Sequence, residues 1–157
     1  AIGPGSSVGR RSLLTVTPDP AGADSRIDIG RHTYIGRGCT LSACGSVRIG
    51  DEVTFGDNVY LSAGQHGFAE PGTRVLEQPM MAGQVAVGNG AWIGFGAFIS
   101  STARLEIGAG AIVMANAVVT RSVPPLTMVG GVPAIPIKRF DSERREWVRV
   151  TGPEQRS

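Results

Sequence analysis

Aliphatic residues return at every sixth position over most of this chain, and that period leaves few folds open. Reading in sixes from Ile29 gives IGRHTY, IGRGCT and LSACGS; Val47 and Arg48 intervene before IGDEVT, FGDNVY and LSAGQH. After an excursion of about twenty residues, a length that usually marks a functional or a disordered loop, the count resumes with VGNGAW, IGFGAF and ISSTAR. Leu105 and Glu106 are passed over, and IGAGAI, VMANAV and VTRSVP follow. Each hexad opens on Ile, Leu, Val or Phe, its second residue is most often Gly, and its fifth is usually small or β-branched. Two inward residues in six suit short flat strands joined by tight corners, where glycine supplies the backbone angles. A helix would need spacings of three and four, which are absent.

The interruptions all fall after the third hexad of a group. Three hexads therefore make one triangular coil, and every insertion leaves from the same corner. Stacking predicts one face carrying Ile29, Ile49, Val87 and Ile107, and a second carrying Ile35, Phe55, Ile93 and Val113. The third carries Leu41, Leu61, Ile99 and Val119, with coils at the inter-strand spacing of roughly 4.8 Å. LLTVT (13–17) is expected to cover the first coil, and DSERREWVRV (141–150) to form a short closing helix. The whole reads as one all-β domain over 1–157, with an N-terminal cap region (1–26), coils (27–123), a loop (65–84) and a closing segment (124–157).

Composition narrows the function. The 23 glycines lie among branched aliphatics, which points to a turn-dense β protein and away from disorder. A net charge of +2 lacks the basic excess of a dedicated nucleic-acid binder, the basic residues gathering only in KRF (138–140) and ERREWVR (143–149). Cys39 and Cys44 have no metal spacing and read as reduced thiols of a cytoplasmic protein. No stretch reaches the roughly 20 apolar residues of a membrane span, and the N-terminus does not read as a signal peptide.

With its hexads, the chain resembles the hexapeptide-repeat family, and the resemblance implies a left-handed parallel β-helix of about four to five coils. Two places sharpen it. QHGF, EQPM and VAVGNGAWIGFGAFI are similar to the sugar and polysaccharide O-acetyltransferases, and VVTRSVPPLTMVGGVPAIPIKRF resembles the closing segment of acetyl-CoA-dependent members. The resemblance implies acetyl-CoA as co-substrate, a glycan or small-molecule acceptor, and a homotrimer with sites between subunits.

His66 ends a hexad and opens the long loop, so it is anchored yet exposed. Transfer of an acetyl group to a hydroxyl needs a base, and neutral imidazole suits that work near neutrality. The family's catalytic histidine matches His66. The same resemblance sets Trp92 beside the acyl arm, with Phe95, Ala115 and Thr120 as further coenzyme contacts. A basic residue common in the closing segment is Ile135 here, which leaves Lys138 and Arg139 for the coenzyme phosphates. Glu77, Gln78 and Cys44 are the candidate acceptor contacts. Galactoside and maltose types present an asparagine and an acidic residue where this chain has Gly36 and Cys44, so a simple galactoside is not the expected acceptor. The family's anhydrase branch resembles a three-histidine zinc site; with two histidines, His32 reading as surface, no metal is expected. Other readings are an N-acyltransferase on an amino sugar and a non-catalytic scaffold.

Overall fold

The structure, a computed structural model, describes residues 1–22 and 24–151. It is built almost wholly of short parallel strands on three faces. The first face stacks Arg26–Ile29, the end of Thr40–Ile49, Met81–Val87 and Arg104–Ile107. The second stacks Ser7–Val8, Tyr34–Ile35, Thr54–Phe55, Trp92–Ile93, Ile112–Val113 and Thr127–Gly130. The third stacks Leu13–Thr17, the start of Thr40–Ile49, Tyr60–Gln65, Phe98–Ser101 and Val118–Val119.

Registers match the period of the sequence. Leu41 lies beside Leu61, Leu61 beside Ile99, and Ile99 beside Val119. Every residue that opens a hexad is buried, as are the fifth residues in the first two hexads of each group, from Thr33 to Ala117. Val47 and Leu105, which the hexad count passes over, are also core residues, at 0% and 1% exposure. They do not loop out; they lengthen the strands of the first face by one inward residue each. The corner there is a bend inside one ten-residue strand, at Gly45, whose φ is +117°. A Cβ on Gly45 would lie 2.2 Å from the Gly83 carbonyl oxygen, so only glycine lets the turns close up here.

The ladder extends past 27–123 at both ends. Ile2 bridges to Ile29, Ser7–Val8 pairs with Tyr34–Ile35, and Leu13–Thr17 with Thr40–Cys44. Ile2, Val8 and Leu14 thus keep the spacing of six. At the other end Pro124 and Pro125 turn the corner without ending the stack, for Leu126 N–H donates to the Ala109 carbonyl and Thr127–Gly130 joins the second face.

The expected closing helix at 141–150 is a β-hairpin. Ile135–Asp141 pairs antiparallel with Thr127–Gly130, and Glu146–Arg149 pairs antiparallel with it. Its turn is tied by Asp141, whose carboxylate accepts from the backbone N–H groups of Glu143 and Arg144, each at 3.0 Å. Trp147 meets Phe140 edge-on at 5.6 Å. The open edge of the second face supplies hydrogen-bond partners to an incoming strand, and that tertiary gain outweighs the helix preference of Glu and Arg.

Successive turns are also stapled by charge. The Asp57 carboxylate accepts from the Arg37 backbone N–H at 2.8 Å and from its guanidinium at 2.7 and 3.0 Å. Asp51 and Arg31 repeat the arrangement one corner away. The Arg37 side chain, then its backbone N–H, holds the Asp57 carboxyl below the ordinary carboxylate range. A depressed folded value means a contribution present above the unfolded value, roughly 3.9, and lost as pH falls through the folded one. Thermal melts at about pH 5 and about pH 3 are therefore expected to show a larger drop for the wild type than for Asp57→Asn; equal drops would mean the staple adds nothing.

Candidate active site

The long loop leaves the corner between the third and first faces on a short neck. There the chain pairs with its own return, Gly64 opposite Ala82 and Gln65 opposite Met81, antiparallel. His66 follows the neck directly. One residue on, Gly67 is buried, and a Cβ there would lie 2.4 Å from the Pro79 carbonyl oxygen. The backbone of His66 is thus fixed on both sides. Its imidazole is exposed and has no hydrogen-bond partner among the described residues. A rigid stem with an unspent imidazole is what a positioned base requires.

The rest of the loop is shaped by its own polar groups. Gln78 accepts from the Glu70 N–H at 3.0 Å and donates to the carbonyls of Thr73 at 3.0 Å and Glu70 at 3.3 Å. Glu77, at the end of a single 3-10 turn (Val75–Glu77), takes the Arg74 guanidinium, with Nε at 2.9 Å. Gln78 therefore spends both of its polar atoms in holding the loop, and Glu77 spends one carboxylate oxygen. Phe68 and Leu76 stand out from it, 63% and 83% exposed.

Cys44 lies at the foot of the neck, its Cβ 2.9 Å from where a Gly64 Cβ would be. Its thiol is buried and faces the Pro18 carbonyl at 3.8 Å. Burial, with a smaller push from Asp19, raises the thiol pKa, so the group stays protonated and is no nucleophile. Its sulfur is not presented to solvent.

Trp92 projects from the second face, 53% exposed, between Thr54 and Ile112. Phe95 and Ala115 occupy equivalent places on the corner between the second and third faces, where Asn116 N–H donates to the Phe95 carbonyl at 2.8 Å. Thr120 is exposed just beyond Val119 on the third face. Within one chain, Trp92 is on the face opposite the corner that carries His66. The fold groups Trp92, Phe95 and Ala115 with one another and not with the histidine.

At the closing end, a cleft of about 280 Å³ brings Arg139 together with Arg121 over an apolar floor that includes Val119, Val123, Pro124 and Pro136. Lys138 is half-buried in the ladder opposite Arg149 and does not line this cleft. Two guanidinium groups beside an apolar floor fit a ligand bearing phosphates on an organic arm. Arg121 escaped the sequence reading, although it directly follows Thr120; its pairing with the closing strand is a matter of tertiary structure. Among the described residues no group of three or more His, Cys, Asp or Glu could hold a metal, and no helix is long and apolar enough to cross a membrane.

Comparison with known proteins agrees with this architecture. No family model matches the chain. The galactoside O-acetyltransferase of Escherichia coli K12 is 29% identical over 123 residues, 78% of this chain and 59% of that protein. A hexapeptide-repeat-containing acetyltransferase of Vibrio cholerae O1 biovar eltor, solved with acetyl coenzyme A, has a TM-score of 0.76 at 27% identity. That match covers 90% of this chain and 71% of the other. A galactoside acetyltransferase solved with coenzyme A has a TM-score of 0.73 at 25% identity, covering 96% of this chain and 72% of that one. The relatives and structural neighbours are hexapeptide-repeat acetyltransferases. The chain spans between 55% and 59% of the length of the first curated relatives it matches.

Proposed function

We propose that the protein is an acetyl-CoA-dependent O-acetyltransferase acting on a hydroxyl of a sugar or glycosylated intermediate. The observation that carries this reading is His66, an exposed imidazole without a partner among the described residues, on a stem locked by the neck and by the Gly67–Pro79 approach. In the proposed step His66 takes the acceptor's hydroxyl proton as its oxygen bonds to the thioester carbonyl carbon. The C–S bond then breaks, and the imidazolium returns the proton to the departing sulfur, leaving an acetyl ester and free thiol. No covalent enzyme intermediate is needed, in keeping with the protonated, buried Cys44.

Trp92, Phe95, Ala115 and Thr120 would guide the acyl arm, and Arg121 with Arg139 would meet its phosphates, with Lys138 at their edge. Because Trp92 and His66 lie on opposite sides of one chain, the reading places the site between subunits of a homotrimer, in a left-handed helix of four to five coils. The exposed Phe68 and Leu76 support a loop that covers a neighbouring copy. The cytoplasm is the compartment this reading takes.

A calorimetric titration with acetyl-CoA tests it, followed by mass spectrometry of sugar acceptors. Saturable binding that weakens at least about tenfold in Arg121→Ala/Arg139→Ala, with an acetyl group added to a hydroxyl sugar, is the expected result. Transfer to amino sugars alone would make it an N-acyltransferase. No binding at millimolar ligand would leave a scaffold.

A further inference from the structure

The corner between the second and third faces has a chemical gradient along the stack. Gly38 N–H donates to the Arg10 carbonyl at 3.1 Å, Asn58 N–H to Arg37 at 2.8 Å, Gly96 N–H to Asp57 at 3.0 Å, and Asn116 N–H to Phe95 at 2.8 Å. Arg10, Arg37, Asp57, Phe95 and Ala115 therefore stand one above another. Phe95 and Ala115 are the residues assigned to the acyl arm. Two ladder steps from Phe95, about 10 Å, the column becomes cationic.

At that end lies a cleft of about 420 Å³ lined by Arg10, Arg11, Arg37, Gly38, Asp57 and Asn58. Asp57 is its one acid among the described residues, and it is bound to Arg37 through Nε and Nη2, which leaves the remaining donors of that fork. Arg10 and Arg11 have no salt-bridge or side-chain hydrogen-bond partner among the described residues. Both residues line the cleft and are exposed, so their side chains are open to an anion there. A second observation concerns Arg11 alone. Its φ is +62°, and the equivalent positions of the other turns are Gly38, Asn58, Gly96 and Asn116, residue types that accept this conformation. On this corner an arginine stands where the other turns carry glycine or asparagine; His32, Glu52 and Leu126 take the same backbone conformation at the neighbouring corner, so such a turn admits a side chain at a conformational cost.

We infer that the Arg10–Arg11–Arg37 cleft is a phosphate-binding site and that it receives the diphosphate of an activated sugar acceptor. Paired guanidinium forks suit the several oxygens of a diphosphate better than a lone carboxylate. The assignment to the acceptor rests on the proposed acetyl transfer, since it is Phe95 and Ala115 that put the acyl group on this column; the anion site itself does not.

The test is calorimetry with inorganic pyrophosphate, with uridine diphosphate glucose and, separately, with acetyl-CoA. The variants are Arg10→Ala/Arg11→Gly and the charge control Arg48→Ala, on the first face. Glycine at 11 relieves the positive φ, so the double variant is expected to melt no lower than the wild type, and lost binding is then not lost fold. The expected result is saturable pyrophosphate and nucleotide-sugar binding, at least tenfold weaker in Arg10→Ala/Arg11→Gly, unchanged in Arg48→Ala, with acetyl-CoA affinity unaltered. Pyrophosphate binding that is absent, or equal in both variants, overturns the site. Loss of acetyl-CoA affinity in the double variant overturns the acceptor assignment and gives the cleft to the coenzyme. If acetyl-CoA binds nowhere while pyrophosphate binds through the arginines, the proposed transfer falls and the phosphate site stands.

Discussion

His66→Ala is expected to lower kcat for acetyl transfer by about 10²–10⁴-fold, the usual worth of a positioned general base. Acetyl-CoA affinity should change far less than kcat, because a base that takes the acceptor's proton acts in the transition state and not in holding the coenzyme. Stability should move by no more than about 0.5 kcal/mol, since the imidazole is exposed and has no partner among the described residues. Gly67→Ala gives the complementary result. Its new Cβ would start 2.4 Å from the Pro79 carbonyl oxygen, forcing the loop aside and misplacing an intact imidazole. Steady-state kinetics with thermal melts read both. Activity of His66→Ala within about threefold of wild type would end the general-base assignment.

Phe55→Ala should cost about 3–5 kcal/mol, a large part of the roughly 5–15 kcal/mol that holds a domain together. Phe55 is fully buried among the largest core side chains, and Ile93 faces the same interior one turn on. A cavity at that place lies between the N-terminal turns and the long-loop turn. In a stack where each turn touches only its neighbours, such a gap weakens the coupling of the two halves. A fall in the urea m-value together with the midpoint would mean that the halves separate; a midpoint shift alone would mean a uniform loss. Phe98→Ala is the comparison. Phe98 is 40% exposed and stacks on Tyr60 at 5.0 Å, so its loss should cost on the order of 1 kcal/mol. Equal costs at the two positions would mean that the inward and outward assignments are wrong.

Legibility in the sequence followed the period. Wherever aliphatic residues recur in sixes, the expected face and the buried core agree, from Ile29 through Val119. Val47 and Leu105 were passed over because a strict count of six has no place for a strand two residues longer. Ile2, Val8 and Leu14 kept the spacing but lay before the point where counting began, and half-exposed residues at the end of a stack give a weaker signal. Arg121 and the roles of Gln78 and Glu77 depend on partners that are distant in sequence or folded back within the loop.

The sequence by itself determined the three-faced stack, the single corner from which the chain departs, and the position of His66 at that corner. A side chain repeated every six residues can be buried in only one way, and the repeat enforces it many times over. Tertiary structure alone decided the hairpin at 135–149, the neck that locks His66 and the cleft joining Arg121 to Arg139. Those features occur once each, through contacts between segments with no shared period. An open sheet edge or a neighbouring turn chose the conformation where local preference was too weak to do so.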